Sequence, residues 1–192
     1  MGWGGLLSVV SVLLTVHPEH ESDPFWHFNL GRAVLRHHAR VVPEPSAFAS
    51  YGRDAVVPEW LWGVGTYLLH EAGSFTALVG LLVVLAVGMT AMVVTLARLH
   101  TEEEAPEVVI LVSSLIVALA AARLRLRPQA AFVALAPCFL YLCYRFREAR
   151  GRGRVALAAG LCALEVLWAQ LHGSFVLAPA IFAIWTPAWR SQ

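Results

Sequence analysis

The chain has 192 residues, 58% of them apolar and only 14% charged, with a formal net charge of +1. A soluble domain of this size buries a core without apolar runs as long as these, and so balanced a charge offers no electrostatic footprint for a nucleic-acid partner. The class is an all-α polytopic membrane protein. All 14 basic residues are arginine, which reads as codon bias and not as function. Cys138, Cys143 and Cys162 lie in apolar segments without metal-ligand spacing, so they read as small core residues and imply no disulfide framework.

Residues 3–17 are apolar and uncharged. At about 1.5 Å per residue they reach ~22 Å, short of a ~30 Å hydrocarbon core. A signal peptide is the alternative, but no basic region beyond the amino terminus and no small-x-small cleavage site accompany them, which favours a first transmembrane helix. A long polar loop, 18–72, follows. Within it Asp23-Pro24 is a helix start, since Asp suits the N-cap and Pro the first helical position. Trp26, Leu30, Ala33 and Val34 then share one face, while Arg32, Arg36 and Arg40 recur every four residues on another, the pattern of an interfacial amphipathic helix. Pro43-Glu44-Pro45-Ser46 ends it and begins an irregular run through Tyr51-Gly52. Pro58 opens a second short helix over 59–70, too short to span, whose tryptophans suit the headgroup region.

The remainder divides into apolar spans at about 74–97, 106–122, 128–144, 155–171 and 174–189, making six with the first. Between them lie the acidic loop Glu102-Glu103-Glu104, the stretch Arg123-Leu124-Arg125-Leu126-Arg127, and five arginines at 145, 147, 150, 152 and 154. With the N-terminus inside, each side carries seven arginines, so the positive-inside rule ties; the dense cluster at 145–154 votes weakly for that orientation.

Several residues carry chemistry in this pattern. Asp23, at the point where the chain leaves the membrane, serves either as a helix cap or as a general base on an acceptor hydroxyl. Arg32, Arg36 and Arg40 match phosphate oxygens, with ordinary contact to anionic lipid headgroups as the simpler reading. His17-x-x-His20 with Asp23 has helical ligand spacing, but Pro18 interrupts it and no cysteine or third histidine follows at fixed spacing, so a divalent metal is not favoured and no cofactor is expected. Glu165 falls mid-span, where a carboxylate must face a polar interior or be protonated. Trp168, Gln170 and His172 step by two at a helix end, so they do not share one helical face, and contact with the loop helices is expected there.

The order of features resembles the GT-C superfamily of membrane glycosyltransferases, in particular its bacterial RgtA/B/C/D-like branch. The resemblance rests on Asp23 with Phe25-Trp26-His27 and Gly31, Pro45-Ser46-Ala47-Phe48 with Gly52, Glu59-Trp60-Leu61, Arg127-Pro128-Gln129, and Leu167-Trp168-Ala169-Gln170-Leu171-His172-Gly173. It implies a transmembrane bundle whose first extracytoplasmic loop, 18–72, carries interfacial jaw-type helices. It implies Asp23 as the essential acidic residue, with His27, Arg32, Arg36, Glu59, Arg127, Gln129 and His172 as substrate contacts. The donor would be a polyprenyl-phosphate-linked sugar, used at the outer face of the plasma (inner) membrane of a bacterial cell. The resemblance also implies that further helices and a soluble domain belong to the whole protein. The other class of function is a non-catalytic polytopic membrane protein, a transport subunit or an inactive remnant of a transferase, for which Glu165 would line a polar pathway.

Overall fold

The computed structural model describes residues 3–15, 23–100, 106–121 and 123–185. It is mostly helical, with α1 (Trp3–Thr15), α2 (Asp23–His37), α3 (Trp60–His100), α4 (Pro106–Ala121), α5 (Gln129–Glu148), α6 (Gly151–Leu171) and α7 (Leu177–Trp185). Three helices are long and apolar enough to cross a membrane, those covering Trp60–Leu99, Gln129–Glu148 and Gly151–Leu171. Two shorter apolar helices, Glu107–Ala121 and Gly173–Ala183, accompany them.

The helices alternate in direction. Arg98, near the end of α3, lies 5.5 Å over the ring of Trp3 at the start of α1, so these two run antiparallel. Trp60 at the start of α3 reaches Gln170 at the end of α6, and Arg127 just before α5 reaches Asp23 at the start of α2. Residues 23–72, the 123–128 turn and residues 170–176 therefore gather at one end of the bundle. The arginines of the α5–α6 turn occupy the other.

Inside α3 the helix breaks at Gly73 and Ser74, where Ser74 has φ 55° and ψ −154°. Residues 60–72 pack with α2, and residues 75–100 form the long apolar helix. Leu78, Leu82, Ala86, Met89 and Val93 of that helix are buried in one stripe, meeting Val117 of α4 and Ala130 and Ala131 of α5. Thr90 sits in this stripe and returns its hydroxyl to the Ala86 carbonyl at 2.8 Å, which satisfies it within its own helix.

α2 crosses α3 at a pair of glycines. A Cβ added to Gly31 would lie 2.2 Å from the Gly63 carbonyl oxygen, so only hydrogen fits there. Around this crossing Leu30, Ala33 and Val34 bury against Val64, Val57 and Val42. One expectation is extended here and one changes. The run after Pro43 is flanked by paired strands, β1 (Val41–Pro43) and β2 (Asp54–Val56), antiparallel with Val42 opposite Ala55. Two three-residue stretches suffice because Val42, fully buried, anchors the hairpin under α2. Trp62 is not a headgroup anchor: it is 5% exposed and packs with Phe28, Leu78 and Leu82, because α2 covers that side of α3.

Candidate functional site

The first cluster forms where α2 begins. Asp23 Oδ2 lies 3.0 Å from Arg127 Nη2, both side chains partly exposed. The pair joins residues 104 positions apart, brought together because the loop before α5 returns to the start of α2. Leu124 and Leu126 are buried, which pins the arginine-leucine stretch to the bundle and turns Arg127 toward Asp23. Arg127 is thus an ion-pair partner here and not simply a snorkelling side chain at a helix end.

One turn after Asp23 on the same face is His27, which is buried. Burial pushes its imidazole down to a pKa of about 4; the Asp23 carboxylate raises it, and the Arg127 guanidinium lowers it. The imidazole is therefore neutral at physiological pH. A carboxylate paired with a guanidinium fork and a neutral imidazole thus lie close enough for their charges to act on one another. Such a set accepts a proton from a hydroxyl at the carboxylate and holds an oxyanion at the fork.

A second cluster ties α3 to α6. Gln170 Oε1 accepts from Trp60 Nε1 at 2.7 Å and from Arg40 Nη1 at 3.5 Å. Ser174 N donates to His172 Nδ1 at 3.1 Å, which fixes the imidazole proton on Nε2 in its neutral form. That Nε2 faces Glu59 Oε1 at 3.8 Å, and the Gly173 amide points at the same oxygen from 3.4 Å. The Phe132 ring, 6.5 Å from that of His172, links this cluster to α5. The two-residue steps at 168, 170 and 172 make sense in this light: Trp168 points inward and is fully buried, while Gln170 and His172 meet the loop residues.

Arg32 and Arg36 are exposed and lie farther along α2, lining a polar cleft against the hairpin loop. Gln129 is exposed at the first turn of α5, and its side chain makes no hydrogen bond with another described residue. The His17–His20 pair lies outside the described residues. Among the described residues no group of three or more His, Cys, Asp or Glu side chains could hold a metal ion.

Glu44 is the residue that sequence reasoning passes over. It is buried, and its Oε1 accepts from Trp26 Nε1 at 3.2 Å and from the amides of Ser46 and Ala47, each at 3.0 Å. A lone acid between two prolines was the available signal, because such a segment must satisfy its free amides with a side chain.

An apolar groove of about 700 Å³ runs between α3, α4 and α5, lined by residues such as Val93, Ile116, Leu119 and Phe132, and Arg123 is its one charged residue among the described residues. Arg123 precedes Arg127 by four residues in the same tight turn, so the groove adjoins the loop that carries the first cluster. On α6, Glu165 borders a separate apolar groove with Phe139, Cys162 and Phe182, and its Oε2 is buried without a hydrogen-bond partner among the described residues.

No protein-family model, curated protein or solved structure matches the chain.

Proposed function

We propose that this chain transfers a sugar from a polyprenyl-phosphate donor to an acceptor hydroxyl at the extracytoplasmic face of a bacterial plasma membrane, as a GT-C-type glycosyltransferase. The observation that carries this reading is the Asp23–Arg127 pair, with His27 one turn on, beside a loop in which another arginine, Arg123, lines an apolar groove. An apolar groove with a guanidinium at its mouth suits a lipid phosphate: the isoprenoid chain lies among aliphatic side chains and the phosphate meets arginine.

In this reaction the acceptor hydroxyl gives its proton to Asp23 as its oxygen forms a bond to the anomeric carbon. The bond from that carbon to the phosphate oxygen breaks, and the electron pair leaves with polyprenyl phosphate. Arg127 and Arg123 balance the charge of the leaving group. Asp23 later returns its proton to water. At rest Arg127 pairs with Asp23; a bound phosphate competes for the guanidinium and frees the carboxylate to act as base. His27, neutral, offers a hydrogen bond to a sugar hydroxyl without adding charge. The Glu59–His172–Gln170 cluster holds the loop segment against α6 and so positions the site.

The experiment measures release of polyprenyl phosphate by the purified protein in proteoliposomes, with polyprenyl-phosphate hexoses and pentoses as donors and an extract of the source membranes as acceptor. Release by the native protein and its loss in Asp23→Asn support the reading; full activity in Asp23→Asn sinks it. The second reading, a non-catalytic membrane protein, is favoured by one observation, the unpartnered carboxyl oxygen of Glu165 beside an apolar groove. It predicts that Glu165→Gln disturbs function while Asp23→Asn does not.

A further inference from the structure

Away from the Asp23 cluster, α2 and the hairpin loop enclose a second polar site, and we infer that it binds a phosphate- or carboxylate-bearing sugar. The cleft measures about 370 Å³, at the small end of the range for small-molecule sites, and is lined by Asn29, Arg32, Arg36, Glu44, Tyr51 and Gly52 among others. Arg32 and Arg36 stand one turn apart on the same edge of α2, and neither forms an ion pair with a described residue. They sit nine and thirteen residues beyond Asp23, roughly 13 and 20 Å along the helix, so they belong to a different place from the proton-accepting carboxylate.

The cleft is built before any ligand arrives. Asn29 Nδ2 donates to Ser46 Oγ at 3.1 Å, and Glu44 accepts three N–H groups at one oxygen, so the loop is stapled to α2 at two points. Glu44 is therefore committed to the loop and does not neutralise the two guanidinium groups through a direct ion pair. Two neighbouring guanidinium forks select an oxyanion. The remaining lining selects what carries it. Tyr51 is exposed and offers a flat ring face, the Asn29 side-chain oxygen is left to accept from a hydroxyl, and Gly52, at φ 74° with open space where a Cβ would be, keeps the floor low. A bare headgroup phosphate would use the arginines alone. A sugar bearing an anion uses all of them.

Binding at this cleft stands independently of the transferase reading. The test is isothermal titration of the full chain in phosphatidylcholine nanodiscs with glucose 6-phosphate, glucuronate, glucose and inorganic phosphate. The two anionic sugars are expected to bind roughly tenfold or more tightly than glucose or inorganic phosphate. The Arg32→Gln/Arg36→Gln double variant should lose roughly tenfold or more of that affinity. Both positions are exposed, so folding is checked by an unchanged melting temperature. Tyr51→Ala should weaken the sugars and leave inorganic phosphate unchanged, and Asp23→Asn should alter neither. Equal affinity for inorganic phosphate and glucose 6-phosphate would overturn the sugar assignment. Loss of sugar binding when phosphatidylglycerol is added to the nanodisc would assign the cleft to lipid headgroups instead. Undiminished binding by the double variant would overturn the site altogether. An active Asp23→Asn transferase, by contrast, would remove the catalytic reading and leave this cleft in place.

Discussion

Asp23 has two roles available to a carboxylate at a helix start, and the ion pair with Arg127 adds a third, that of a held anion. Because both groups are substantially exposed, the pair itself contributes little to stability, with exposed pairs typically worth about 0–1 kcal/mol. Its value is orientation. Asp23→Asn is therefore expected to leave the melting temperature nearly unchanged while lowering transfer by roughly 10²–10⁴-fold, the usual contribution of a positioned base. Arg127→Lys keeps the charge but loses the fork, so it should weaken donor binding more than it slows turnover. His27 gives a pH signature. Its folded pKa of about 4 lies below the ordinary value of 6.5, so between those values the unfolded chain binds the extra proton. The stability this contributes is complete above pH 6.5 and is lost as pH falls toward 4, on the order of 2–3 kcal/mol across the window. Thermal melts at pH 7 and pH 4.5 check this: His27→Gln should narrow the difference between them, and an identical acid sensitivity in that variant would contradict the assignment.

At the scale of elements, the end that carries the candidate site depends on α2 being laid closely on α3. Gly31 permits that contact, since any Cβ there collides with the Gly63 backbone, which does not yield as a flexible side chain would. Gly31→Ala should cost about 1–3 kcal/mol, as overpacking does, and should impair transfer by moving Asp23 from Arg127. Gly65→Ala, two residues from the crossing with open space around it, should be tolerated in the same melts. Glu44→Ala removes the acceptor for three N–H groups, and charged hydrogen bonds of this kind contribute about 1.5–3 kcal/mol each. The hairpin loop should then become protease-sensitive while the apolar helices stay protected. Much of α2 was legible in the sequence, because Asp23-Pro24 and the apolar spacing at 30, 33 and 34 follow local rules. The hairpin was not. Its strands are three residues each, too short to show alternation, and they exist because Val42 finds a pocket made by distant residues.

For the whole molecule, composition alone carried the helical membrane class, since apolar runs of this length have few other uses. What it could not carry was juxtaposition. Nothing local says that Arg127 turns back to Asp23, or that Gln170 accepts from Trp60, because those contacts arise from the antiparallel order of helices. The tied arginine count likewise hides a physical asymmetry: one end of the bundle holds the site clusters, the other a turn with five arginines within ten residues. The proposed orientation puts the latter in the cytoplasm. In a background without native cysteines, Phe48→Cys should react with a membrane-impermeant maleimide in intact cells, whereas Gly153→Cys should react only after permeabilisation. The reverse pattern would place the Asp23 cluster on the wrong side for the proposed chemistry.

The most direct measurement is polyprenyl phosphate release in proteoliposomes, native protein against Asp23→Asn, with Gly65→Ala as a folded control. The account predicts release by the native and control proteins and a loss of roughly 10²-fold or more in Asp23→Asn with its melting temperature preserved. Equal release by native protein and Asp23→Asn, or none by the native protein with any of the donors, would contradict it.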